Sequence, residues 1–137
     1  GQELDAAEQN ARKAIEILSS MSRPEGITDE QWAQQKSLQT GLAWSAIGQT
    51  LIHRRRDAQA VEAFRTAAPL LKTAAVTYAR NQYRLGFALI NLKRLSEARV
   101  AFMEAASVES PYRALAQEKM KGLPAAPAKK YPPRKGA

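Results

Sequence analysis

Apolar residues recur along this chain at intervals of three and four. One stripe is Trp44, Ile47, Gly48 and Leu51; another is Ala60, Phe64, Ala67 and Leu71. Leu85, Gly86 and Leu89 form a third, and Ala98, Phe102 and Ala105 a fourth. This is the spacing of one buried face on an amphipathic helix. Good helix formers dominate from residue 3 to residue 121, and β-branched runs are absent. The pattern predicts an all-α protein of about six helices, with no strands.

Local punctuation divides the helices. Arg23-Pro24-Glu25-Gly26 breaks the first. Thr28-Asp29-Glu30-Gln31 reads as a capping box, in which Thr28 accepts from the Gln31 amide and the Gln31 side chain reaches back. That helix is expected to run from 29 to about 54, with Arg54-Arg55-Arg56 as a solvated turn that favours its negative end. Asp57 is expected to cap the next helix, Ser96 falls near another start, and Ser110 is expected to cap a helix opening at Pro111.

The stripes repeat. Gly48 and Gly86, Ala60 and Ala98, Phe64 and Phe102, and Ala67 and Ala105 all stand 38 residues apart. Ile47/Leu85 and Leu51/Leu89 follow the same offset. The pattern resembles the tetratricopeptide repeat, in which small residues let two antiparallel helices approach and an aromatic ring fills the gap. The first copy, about 41–74, supplies Trp44, Ile47, Gly48, Leu51, Ala60, Phe64 and Ala67 as packing residues. The second, about 79–112, supplies Leu85, Gly86, Leu89, Ala98, Phe102, Ala105 and Pro111. It departs from the family in its length, about four residues more than the usual 34. It also carries Gln82 where the family has Trp, and Pro69 falls earlier than the family's turn proline. Residues 3–21 resemble the second helix of a degraded earlier copy, and 111–122 a terminal capping helix. The resemblance implies a right-handed superhelical array of antiparallel helix pairs, an α-solenoid, over residues 1–122.

The resemblance also implies a concave groove lined by the first helix of each pair, which binds a peptide or protein. The matching positions are Leu42, Ser45, Gln49, Ile52 and His53, then Arg80, Tyr83, Phe87, Ile90 and Asn91. Tyr83 and Phe87 are candidate aromatic anchors, and Arg80 a candidate carboxylate partner. Equally, some of these side chains can pack against neighbouring helices, because a short array covers part of its own groove. Family members that clamp a C-terminal carboxylate use Lys and Asn in the groove; Ser45, Gln49 and Phe87 do not match that set. His53 either meets a ligand or simply sits at its helix end.

Charge changes the picture less than its sum suggests. The formal net charge is +8. Residues 123–137 hold four of the seven prolines and the basic residues Lys129, Lys130, Arg134 and Lys135 around Tyr131, with no acid. They are expected to form a disordered tail. Electrostatic nucleic-acid binding by Arg54–Arg56 and this tail is an alternative function, and so is self-association into a homodimer through the stack ends. With no Cys and one His, a thiolate or His-based metal site is not expected. No Gly-rich phosphate loop, His-Glu-x-x-His or Gly-x-Ser-x-Gly occurs, so neither catalysis nor a cofactor is expected. The Ala/Arg-rich composition fits a bacterial source. The start at Gly1-Gln-Glu-Leu-Asp reads as a trimmed boundary, compatible with a periplasmic location.

Overall fold

A computed structural model describes residues 1–125. Among them lie six α-helices and no strand: α1 (Gln2–Ser20), α2 (Asp29–His53), α3 (Asp57–Ala67), α4 (Ala75–Asn91), α5 (Leu95–Ala106) and α6 (Tyr112–Met120). The helices stack as a solenoid. α2 packs on α3, α3 on α4, α4 on α5, and α6 closes against both α5 and α4.

Each pair is built on the same contact. Gly48 of α2 faces Phe64 of α3, and Gly86 of α4 faces Phe102 of α5. A Cβ on Gly48 would lie 2.6 Å from the Phe64 ring, and one on Gly86 would lie 2.5 Å from the Phe102 ring. Both rings are fully buried, as are Ala60, Ala67, Ala98 and Ala105 beside them. Burying a Phe side chain stabilises by about 1.5–3 kcal/mol. The missing Cβ is what lets the backbone come close enough to cover each ring. Ile47, Leu51, Leu85 and Leu89 complete the same core.

The turns inside the pairs also repeat. Arg56 N–H donates to Leu51 O and Arg55 N–H to Ile52 O; Arg94 N–H donates to Leu89 O and Lys93 N–H to Ile90 O. This pair of hydrogen bonds closes a helix C-terminus around one left-handed residue. Arg55 (φ 59°) and Lys93 (φ 61°) hold that conformation without being glycine. Asp57 is the first residue of α3 rather than its cap, since the helix is entered through Arg56. Its carboxylate accepts instead from Asn91 Nδ2 at 2.9 Å. The Thr28 cap forms as expected, whereas Ser96 is the second residue of α5, and α6 opens at Tyr112 with Pro111, not Ser110, in the cap position and no side-chain cap. Thr28 and Gln31 make the reciprocal capping box, and Ser110 Oγ accepts from Tyr112 N–H at 3.1 Å.

The longer repeat has a structural use. Pro69 ends α3 at Ala67 and starts a single 3₁₀ turn, Ala68–Leu70. The added residues bring Leu71 into the core and press Leu70 and Leu71 on α2 at Gly41, where a Cβ would meet Leu71 at 2.8 Å. Gln82 is buried beside Asn81, whose Nδ2 donates to Gln82 Oε1 (2.9 Å) and Phe64 O (3.0 Å). The Asn81 amide thus ties α4 to α3, with Gln82 as its second acceptor. In the first copy Trp44 is only half-buried, with the Arg12 guanidinium 5.7 Å above its ring.

α1 lies antiparallel along α2 and, among the described residues, touches no other helix. None of its residues is fully buried; Leu4, Ala11, Ile15 and Leu18 form a half-buried stripe. Arg54 fixes its start, with Nη2 2.7 Å from Asp5 Oδ1 and Nη1 2.9 Å from Glu8 Oε1. The expectation of a wholly solvated Arg54–Arg56 turn is therefore corrected at Arg54. At the other end Leu123 packs against the core, and its carbonyl accepts from Arg99 Nη1 at 3.2 Å. It belongs to the folded body rather than to a tail. The basic tail residues from Lys129 onward lie outside the described residues.

Two outcomes follow for stability. Gly86→Ala is expected to destabilise by ~1–3 kcal/mol in urea unfolding, despite alanine's better helix propensity, because the Phe102 ring must move; a neutral result would break the packing argument. Lys93→Gly is expected to stabilise by about 0.5–1 kcal/mol in the same assay by relieving the left-handed side chain, and a loss of stability there would contradict it.

Candidate partner-binding groove

Neighbouring first helices of the pairs expose one face between them. Residues 80, 84, 87 and 91 fall on a single stripe of α4, spaced by three and four. Beside them stand Gln49 and Ile52 from α2 and Tyr112 from the start of α6. Gln49, Ile52, Tyr83, Arg84, Phe87, Asn91 and Tyr112 line a depression of about 310 Å³.

Its floor is aromatic. The Tyr83 and Phe87 rings meet edge to face at 4.9 Å. Both rest on the buried Phe102 ring, at 5.6 and 5.9 Å respectively. Tyr112 leans on Tyr83 from α6 at 5.6 Å, and the Lys119 ammonium sits 5.0 Å from the Phe87 ring centre. Edge-to-face geometry holds each ring in one orientation, so little rotamer freedom remains to be lost when a ligand arrives. Tyr83 and Phe87 are nonetheless half-exposed. Burial, followed by the nearby Tyr112, raises the Tyr83 hydroxyl pKa. Burial, followed by the charge of Arg80, lowers the Arg84 pKa, with Tyr112 opposing. The arginine remains a cation at neutral pH.

The expected groove positions divide. Gln49, Ile52, Tyr83, Phe87 and Asn91 come together in the depression. His53 is exposed one turn beyond Gln49, whose Nε2 donates to His53 Nε2 at 3.1 Å. Arg80 is half-buried one turn before Arg84 and does not line the depression itself. Leu42 is also half-buried outside it. Ile90 packs against the core instead. Ser45 requires correction. It is 2% exposed, with Oγ buried and unpartnered, because α2 turns that position inward.

Two lining residues were not among those expected. Arg84 was readable from the 80–84–87–91 spacing, had that stripe been followed past the family's own positions. Tyr112 carried no signal, because α6 reads as a cap and its ring reaches the groove only once α6 packs on α4.

The opposite side of the stack differs in character. A cleft of about 280 Å³ between α3 and α5 is lined by Arg65, Gln82, Glu97 and Glu104 among others. Its charges already satisfy one another. Arg65 pairs with Glu97 at 3.5 Å, Arg94 Nη2 donates to Glu97 Oε1 at 2.9 Å, and Tyr78 Oη donates to Glu104 at 3.4 Å. The Arg94 hydrogen bond holds the Glu97 carboxyl below its ordinary pKa. Among the described residues no group of His, Asp or Glu converges as a metal site.

Comparison with known proteins agrees with the geometry. The family model of the tetratricopeptide repeat matches residues 79–111, covering most of α4, all of α5 and the approach to α6. Searches of curated proteins and of solved structures find no match. Tetratricopeptide repeats in general mediate protein–protein interaction, typically as non-enzymatic scaffolds. The Gly86–Phe102 contact, the paired helices α4 and α5 and the family match all fall on one segment, residues 79–111, which is a tetratricopeptide repeat.

Proposed function

We propose that the chain is a small scaffold without catalysis of its own, which binds a peptide or protein segment in the groove between α2, α4 and α6. The observation that carries this reading is the Tyr83–Phe87 pair. Two large rings are half-exposed side by side, braced from beneath by Phe102 and from the side by Tyr112. Rigid aromatic surface with polar groups at its edge is the usual composition of a binding hot spot. Gln49 and Asn91 supply those polar groups, and Ile52 the apolar wall. Among the described residues no helix is long and apolar enough to cross a membrane. The nucleic-acid alternative loses support at Arg54, whose charge is spent on Asp5 and Glu8.

Peptides selected from a random library on the immobilised chain, followed by amide chemical-shift mapping, test the proposal. Shifts are expected at Gln49, Ile52, Tyr83, Phe87 and Asn91. Tyr83→Ala with Phe87→Ala should weaken the selected peptides by at least tenfold, about 1.4 kcal/mol. Because those rings also touch Phe102, Asn91→Arg serves as a second variant that crowds the rim from an exposed position. Shifts confined to the α3–α5 face would overturn the assignment.

A further inference from the structure

Among the described residues, half-buried arginines are consistently given partners, with two exceptions. Arg54 has Asp5 and Glu8, and Arg94 has Glu97. Arg99 donates to Met120 O and Leu123 O, and Arg113 to Ala106 O. Arg80 and Arg84, one turn apart on α4, have neither an ion pair nor a side-chain hydrogen bond among the described residues. The Arg80 Nε is buried and unpartnered. Placing two guanidinium groups together, partly out of water and uncompensated, costs free energy that a bound anion would recover. Lys119 adds a third cation against Phe87. No carboxylate lines the depression. Residues 126–137 contain no Asp or Glu to supply one, and their basic residues argue against that segment as the occupant.

We propose that the groove binds an acidic segment of a protein partner. An Asp or Glu side chain sits on Arg80 and Arg84, and a neighbouring apolar or aromatic side chain enters the Tyr83–Phe87 pocket. This rests on the groove assignment above and narrows it to one ligand chemistry. The stripe from residue 80 to residue 91 spans about 16 Å along α4 at 1.5 Å per residue. That length matches about five residues of extended chain. Side chains in such a chain alternate in direction, so the carboxylate and the apolar group are two residues apart. Planar guanidinium forks, one turn apart, hold a carboxylate in fixed orientation. The acid comes from a side chain within the segment, which separates this seat from recognition of a chain terminus.

The probe is a six-residue peptide of alternating glutamate with leucine or phenylalanine, acetylated and amidated so that no terminal charge remains. Its affinity for the full chain is measured by fluorescence anisotropy at low and high salt. Comparison peptides carry glutamine or lysine in place of glutamate. The acidic peptide is expected to bind roughly tenfold tighter than the glutamine peptide, with the lysine peptide weakest. Arg80→Gln with Arg84→Gln should abolish that difference and flatten the salt dependence while leaving helicity unchanged. Equal binding of the acidic and glutamine peptides, or an unchanged affinity in the double variant, overturns the proposal. If both peptides bind equally and Phe87→Ala weakens both, the groove stands and only its acidic preference falls. If no probe peptide binds, the acidic proposal falls; if library selection also finds no groove ligand, the groove reading falls with it. A hexathymidine oligonucleotide that binds more tightly than the acidic peptide, and is lost in the double variant, would assign the arginines to phosphate instead.

Discussion

A phenylalanine ring laid on a glycine backbone is the contact on which this molecule depends. It occurs at Phe64 on Gly48 and again at Phe102 on Gly86, where any Cβ would stand less than 3 Å from the ring. The contact sets the distance within each helix pair. It also decides which faces remain outside. In the second pair its consequence reaches the surface directly, because the Phe102 ring that fills the core is the floor beneath Tyr83 and Phe87. Core and groove share one aromatic cluster, so the stiffness of the proposed binding surface derives from the packing of the repeat.

The ends of the stack are held differently from its middle. α1 contributes no fully buried residue and relies on a half-buried stripe and on Arg54. α6 is pinned through Ala116, Met120 and the Arg99 bonds to its last turn. These contacts are more polar and more exposed than the Gly–Phe pairs, and they belong to the low-stability end of the molecule. The groove is built where both regimes meet, with its floor in the core and one wall, Tyr112 and Lys119, on the terminal helix.

Much of this was legible in the linear pattern. The 38-residue offset marked the pairs, because Gly, Ala and Phe each answer to a packing constraint that repeats with the fold. The capping box at Thr28 and the Ser110 contact were readable because they involve only neighbours in sequence. Five groove positions on α2 and α4 were readable from helix geometry once the packing face was known. What escaped depends on distant parts of the chain. Ser45 sits close to the packing face, and only the finished array decides that it turns inward. Arg54 looked like solvated charge because its partners, Asp5 and Glu8, lie 46 or more residues earlier. Trp44 stays half-exposed because what covers it is Arg12 of α1.

In the proposed reading, the cluster of Phe102, Tyr83 and Phe87 is at once the core of the second repeat and the seat of the partner. A crystal structure of the chain with a bound partner segment tests it most directly. The segment is expected to lie across Tyr83 and Phe87, with the Phe102 ring unmoved against Gly86 beneath them. A partner seated on the α3–α5 face with the groove empty, or one that enters only by prising α6 away and rotating Phe102, would contradict it.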